Sequence, residues 1–181
     1  MSTDDPRQVV IDYLSDKKFQ REKRGCLAKV ETILFLKVKA LPNLHAYAVR
    51  YTSTTDQQWD EACLVQNMNG SWRCSSGFRG RTEDRFATTK EERVKNGSQP
   101  WIKVSATEES GYWFIYGNVI ANNYDIASIR MVSATSGQIE EDETHDGLVL
   151  FLSKCSLPIE FEFYSPAHIL FGKQLWGLAP L

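Results

Sequence analysis

Near the start of the chain Val10, Tyr13 and Leu14 recur at the three-and-four spacing of one helix face. Asp4 or Asp5 suits a cap, Pro6 suits a first helical position, and Gly25 is the natural stop. From Glu31 the period changes to two. Ile33, Phe35 and Lys37 alternate with Leu34, Leu36 and Val38 until Pro42-Asn43 breaks the run, and His45, Tyr47, Val49 and Tyr51 then share one strand face. Asp56 to Gln58 reads as a turn. Trp59 to Met68 runs into Asn69-Gly70, the strongest short hairpin signal, from which Ser71 to Phe78 returns antiparallel. The first half is therefore predicted as a helix followed by four strands.

Beyond Pro100 the pattern becomes one of short apolar segments separated by turn residues. Segments run over 101–106, 112–120, 126–134, 138–144, 148–153, 159–164 and 169–176, and Ser110-Gly111, Asn122-Asn123, Ser136-Gly137 and Asp146-Gly147 are among the turns between them. Seven short strands predict a small sandwich. Between the halves, residues 81–100 hold few large apolar side chains and end in Asn96-Gly97-Ser98-Gln99-Pro100, which marks a linker or long loop. The expected organisation is 1–80, a helix on an antiparallel sheet; 81–100, the connection; and 101–181, an all-β sandwich. The alternative is one continuous lipocalin-like barrel of about ten strands.

Composition narrows the class without naming an activity. The 181 residues are 42% apolar and 24% charged, which excludes disorder, collagen and coiled coil. Residues 1–100 carry 17 basic and 13 acidic side chains, the rest 4 and 10, so the halves differ in sign. No run approaches the roughly 20 apolar residues of a membrane span. The acidic start, Met1 to Pro6, is not followed by an apolar h-region, and the expectation is a cytoplasmic protein with reduced thiols.

Two fold-level resemblances follow from these patterns. An opening helix before a four-stranded antiparallel meander resembles the cystatin-like and NTF2-like α+β proteins. Gly117-Asn118-Val119, then Ile126 to Val132, Ser136-Gly137, Asp146-Gly147-Leu148 and Ile159 to Tyr164 resemble bacterial immunoglobulin-like sandwich domains. Neither resemblance carries a catalytic motif, so each implies a fold and not a reaction.

The chemistry-bearing groups are sparse. Asp142-x-Thr144-x-Asp146-Gly147 imitates half of a calcium loop, but the twelfth position is Ser153 and the flanks read as strands; a solvated acidic hairpin is the simpler reading. His45, His145 and His168 are scattered without ligand spacing, and the four cysteines lack C-x-x-C spacing, so no metal and no cofactor is expected. With a two-residue turn at Asn69-Gly70, Val65 faces Cys74 and Cys63 is the diagonal neighbour, whereas a four-residue loop over Asn67 to Gly70 would set Cys63 and Cys74 directly opposite and make a redox disulfide conceivable; small buried thiols are the expected state. Gly77-Phe78-Arg79-Gly80, with Arg73, Arg81, Arg85 and Trp72 nearby, has the GxxG form, yet it follows a strand and acidic neighbours offset it, which disfavours nucleic acid. Tyr112-Trp113-Phe114-Ile115-Tyr116 puts rings on both faces of one strand, as a covered central strand does. Phosphate-loop, dinucleotide and nucleophile-elbow signatures are absent, which leans the reading away from an enzyme.

What remains is a binding or assembly module, with a protein partner or a second copy met through sheet faces or edges. The alternative is a pocket for a small apolar or aromatic molecule between the first helix and the concave sheet, lined by Tyr13, Phe35, His45, Tyr47, Tyr51 and Trp59, with catalysis there left open.

Overall fold

Asp5 caps the first described helix. In the computed structural model, which describes residues 5–17 and 21–177, its carboxylate accepts the Arg7 N–H at 2.8 Å, Pro6 takes the first helical position, and α1 runs Pro6–Ser15 with Val10 and Leu14 fully buried. The helix ends ten residues before Gly25, where the sequence places its stop. The reason is a competing claim on its last turn: the Leu14 carbonyl accepts the Ala28 N–H at 3.0 Å and the Arg21 Nε–H at 3.2 Å, so the chain doubles back across the helix end.

Four antiparallel strands follow as a meander: β1 Leu34–Leu41, β2 Leu44–Thr52, β3 Gln58–Met68 and β4 Ser71–Arg81, in the order β1-β2-β3-β4. The β3–β4 turn is Asn69-Gly70, both left-handed at φ 56° and 82°. β1 departs from strict alternation. Leu36 has no partner in the ladder, so Phe35 and Val38, rather than Phe35 and Lys37, stand opposite Val49 and Tyr47. Unbroken alternation would have put the Lys37 ammonium on the face that packs against α1, and the bulge removes it. On that face Val10 and Leu14 pack with Tyr47, Val49, Tyr51, Cys63 and Val65.

The chain divides into two compact units, Met1–Arg85 and Phe86–Leu181. In the second, Thr89 and Glu92 form a reciprocal capping box that starts the short helix α2, Lys90–Asn96. Seven strands follow: β5 Trp101–Glu109, β6 Tyr112–Ile120, β7 Ser128–Ser133, β8 Ile139–Glu143, β9 Leu148–Ser153, β10 Ile159–Tyr164 and β11 Leu170–Trp176. They form two sheets, β5-β6-β9 and β11-β10-β7-β8. Ile102, Ile115, Val149 and Phe151 of the first share one core with Ile129, Met131, Phe161 and Phe163 of the second. Side chains join the sheets at both edges. The Gln174 amide accepts from Ile102 N–H at 2.8 Å and donates to the Ile102 carbonyl at 3.1 Å, and Asp142 accepts the Leu150 N–H at 2.9 Å.

A single lipocalin-like barrel is thus not the fold: among the described residues the strands lie in three antiparallel sheets, none of them closed. Strand edges account for this, because the ladders stop at β1 and β4, at β8 and β11, and at β5 and β9, with the Gln174 side chain rather than backbone bridging β11 to β5. Among the described residues no helix is long and apolar enough to cross a membrane.

Candidate functional site

A cleft of about 410 Å³ opens beside α1 and the start of β4. The helix contributes Val9, Asp12, Tyr13 and Asp16, which the helical repeat brings to one side, and the strand contributes Trp72, Arg73 and Cys74 as it leaves the hairpin turn. Two carboxylates and one guanidinium therefore share a wall with two aromatic rings.

Behind this wall lies a buried polar cluster. Arg21 and Glu61, each 1% exposed, are paired through two hydrogen bonds, to Glu61 Oε2 at 2.5 Å and Oε1 at 3.2 Å, and Tyr51 also donates to Oε2, at 3.0 Å. The guanidinium also lies 4.5 Å from the centre of the Tyr13 ring. Burial opposes the Arg21 charge, but the adjacent Glu61 carboxylate more than restores it and holds the pKa above the ordinary value. Gly77 makes room here: a Cβ at that position would lie 3.1 Å from the Ala62 carbonyl oxygen, 3.5 Å from Glu61 Oε1 and 3.8 Å from the Tyr13 hydroxyl.

Burial, reinforced by Glu61, pushes the Tyr13 phenol up to about 12 and the Tyr51 phenol far above its usual range. A hydrogen bond with Cys74, then burial, does the same for the Cys63 thiol. Burial pushes the His45 imidazole down, against a hydrogen bond with the Leu41 backbone. Near neutral pH these groups hold their uncharged forms, so the cluster offers donors, rings and shape rather than a ready base or nucleophile.

The six residues that sequence reading assigns to a pocket gather around the helix-facing side of the sheet. Tyr47 and Tyr51 are core residues, and Phe35 meets Tyr47 edge-on at 5.5 Å. His45 Nδ1 lies 3.0 Å from the Tyr47 hydroxyl, and its ring lies 4.7 Å from that of Trp72. Trp59 pairs with Tyr51 at the other end of the strands, its indole nitrogen buried without a hydrogen-bond partner among the described residues. Of the six, Tyr13 is the one that also lines the cleft. Asp12, Asp16, Trp72 and Cys74 were missed, although the spacing of Val9, Asp12, Tyr13 and Asp16 marks a second helix stripe beside the buried one. The Arg21–Glu61 pair spans 40 residues and has no local signal.

Other sequence motifs are absorbed by the fold. Asp142 and Thr144 hold strands together, Thr144 donating to the Ile126 carbonyl at 2.8 Å, and the described residues contain no cluster of three or more potential metal ligands. Gly77 to Gly80 lies within β4. In the second unit a cleft of about 430 Å³ is bounded by Phe86, Val119, Tyr124, Asp125, Thr144 and Asp146. No protein-family model, curated protein or solved structure matches the chain.

Proposed function

We propose that the protein is a binding module whose α1–β4 cleft takes a small, flat aromatic molecule carrying a positive charge. The observation that carries this reading is the composition of one wall: the Trp72 and Tyr13 rings beside Asp12 and Asp16, with Arg73 as the basic side chain among the described residues that line it. Rings supply stacking area, and the excess carboxylate sets the preferred sign of the ligand. The fold-level resemblance to cystatin-like and NTF2-like proteins is in keeping with a helix and a sheet framing a site, and it bears on the fold alone.

The test uses three probes of one shape: phenethylamine, phenylethanol and phenylacetate, titrated into the isotopically labelled full chain. The amine is expected to shift amide resonances of α1 and β4 saturably, to bind more tightly than the alcohol, and to outcompete the anion, with Trp72→Ala weakening it about tenfold. The absence of saturable shifts in α1 and β4 at millimolar probe, or a preference for the anion, overturns the reading.

A further inference from the structure

The β3–β4 hairpin places Cys63 and Cys74 on the same face of the sheet. Val65 stands opposite Cys74 and Cys63 opposite Gly77, so both thiols lie on the helix-facing side of the sheet, and the register slips between them. Opposite Cys63 stands Gly77, which adds no side chain between the two strands there. Cys74 packs against the buried cluster that contains Cys63. Their exposures differ: Cys63 is fully buried, whereas Cys74 is half-buried and lines the α1–β4 cleft. Cys26 and Cys155 are both buried and belong to different parts of the chain.

We propose that Cys74 and Cys63 form a hydroperoxide-reactive dithiol, in which Cys74 is oxidised from the cleft and Cys63, buried behind it, closes a disulfide between neighbouring strands. The chemistry runs in two balanced steps. The Cys74 thiol ionises and its thiolate attacks one oxygen of hydrogen peroxide; the O–O bond breaks, the protein keeps a sulfenic acid, and the departing hydroxide takes the proton the thiol released and leaves as water. The Cys63 sulfur then attacks the Cys74 sulfur, the S–O bond breaks, and a second water departs with the Cys63 proton. Two thiols are oxidised by two electrons and one peroxide is reduced. The order follows from access, because the oxidant reaches a half-buried sulfur in a cleft before one with no exposed surface. Joining diagonal neighbours requires the strands to shift, and the bulge is where the β3–β4 ladder is already irregular. The inference is independent of any ligand in the cleft.

The sequence makes the product easy to read. Trypsin cuts after Arg50, Arg73 and Arg79, which places Cys63 in peptide 51–73 and Cys74 in peptide 74–79; Cys26 and Cys155 fall in 25–29 and 155–173. The native full chain is treated with hydrogen peroxide, quenched with an alkylating agent and digested. The expected product is peptide 51–73 joined to 74–79, lighter than the two thiol peptides by about 2 Da for the two hydrogens lost, and released by dithiothreitol. Cys74→Ser is expected to leave Cys63 unoxidised, and Cys63→Ser to leave a sulfenic acid on residue 74 that dimedone labels. In the unmutated chain, a lasting dimedone adduct on Cys74 without the joined peptide overturns the proposal. So does oxidation of Cys26 or Cys155 ahead of this pair, or four unreacted thiols.

Discussion

At the scale of single residues, Arg21 and Glu61 place two charges in the interior of a small unit, each 1% exposed. An ion pair in such a place stabilises little relative to apolar packing, but removing one partner leaves the other charge stranded. Glu61→Ala is therefore expected to lower the unfolding free energy by about 3 to 5 kcal/mol, and Arg21→Met with Glu61→Met to recover most of it, as measured by urea denaturation. A loss below about 1 kcal/mol for the single variant would show that water reaches the guanidinium. His45 gives a pH dependence of definite sign. Its folded-state pKa lies below the ordinary 6.5, so the unfolded chain binds the proton more readily. The stabilising contribution is complete above about 6.5 and is lost as pH falls through the lower folded value. The advantage of the native protein over His45→Gln is expected to shrink between about pH 7.5 and pH 5; an advantage that grows on acidification refutes the burial argument.

Elements show where local patterning suffices and where it fails. The Asn69-Gly70 turn was legible because two left-handed residues in a row are rarely compatible with anything but a tight hairpin, and the pair sits at β3–β4 as its chemistry requires. The β1 bulge was not legible: Leu34 to Val38 alternates cleanly as text, and the register slip is imposed from outside by what Lys37 would otherwise face. The same holds for the end of α1, which is set by Arg21 and Ala28 competing for one carbonyl rather than by Gly25. Gln174 is a further case in which a side chain acts as backbone, its amide taking both the donor and the acceptor of Ile102. Gln174→Ala is expected to lower the stability of the second unit by about 1 to 3 kcal/mol, since two peptide groups lose partners together. Loss of amide-exchange protection at Ile102 measures it, and unchanged protection there would assign the link to packing alone.

Across the whole molecule, the charge of a region proves a poor guide to the charge of a site within it. Met1–Arg85 holds 14 basic and 11 acidic residues, and Phe86–Leu181 holds 7 and 12. The α1–β4 cleft nevertheless brings two carboxylates to one guanidinium inside the basic unit, because helical spacing selects which side chains meet. The aromatic and histidine residues were legible as a group, since period-two patterning places them on one face. The thiol pair was legible from the Asn69-Gly70 turn, which sets Cys74 opposite Val65; the acidic wall was not, because it depends on which helix side meets β4.

The Asn-Gly pairs also bear on how the protein ages. An asparagine before glycine loses ammonia when the following backbone nitrogen attacks its side-chain amide, leaving an extra carboxylate. Here the Gly70 N–H donates to Asn67 Oδ1 at 2.9 Å and the Gly97 N–H to the Arg93 carbonyl at 2.9 Å. Both attacking nitrogens are thus occupied while the chain stays folded, and shelf life becomes a property of the fold: each episode of local melting releases a nitrogen and starts the chemical clock.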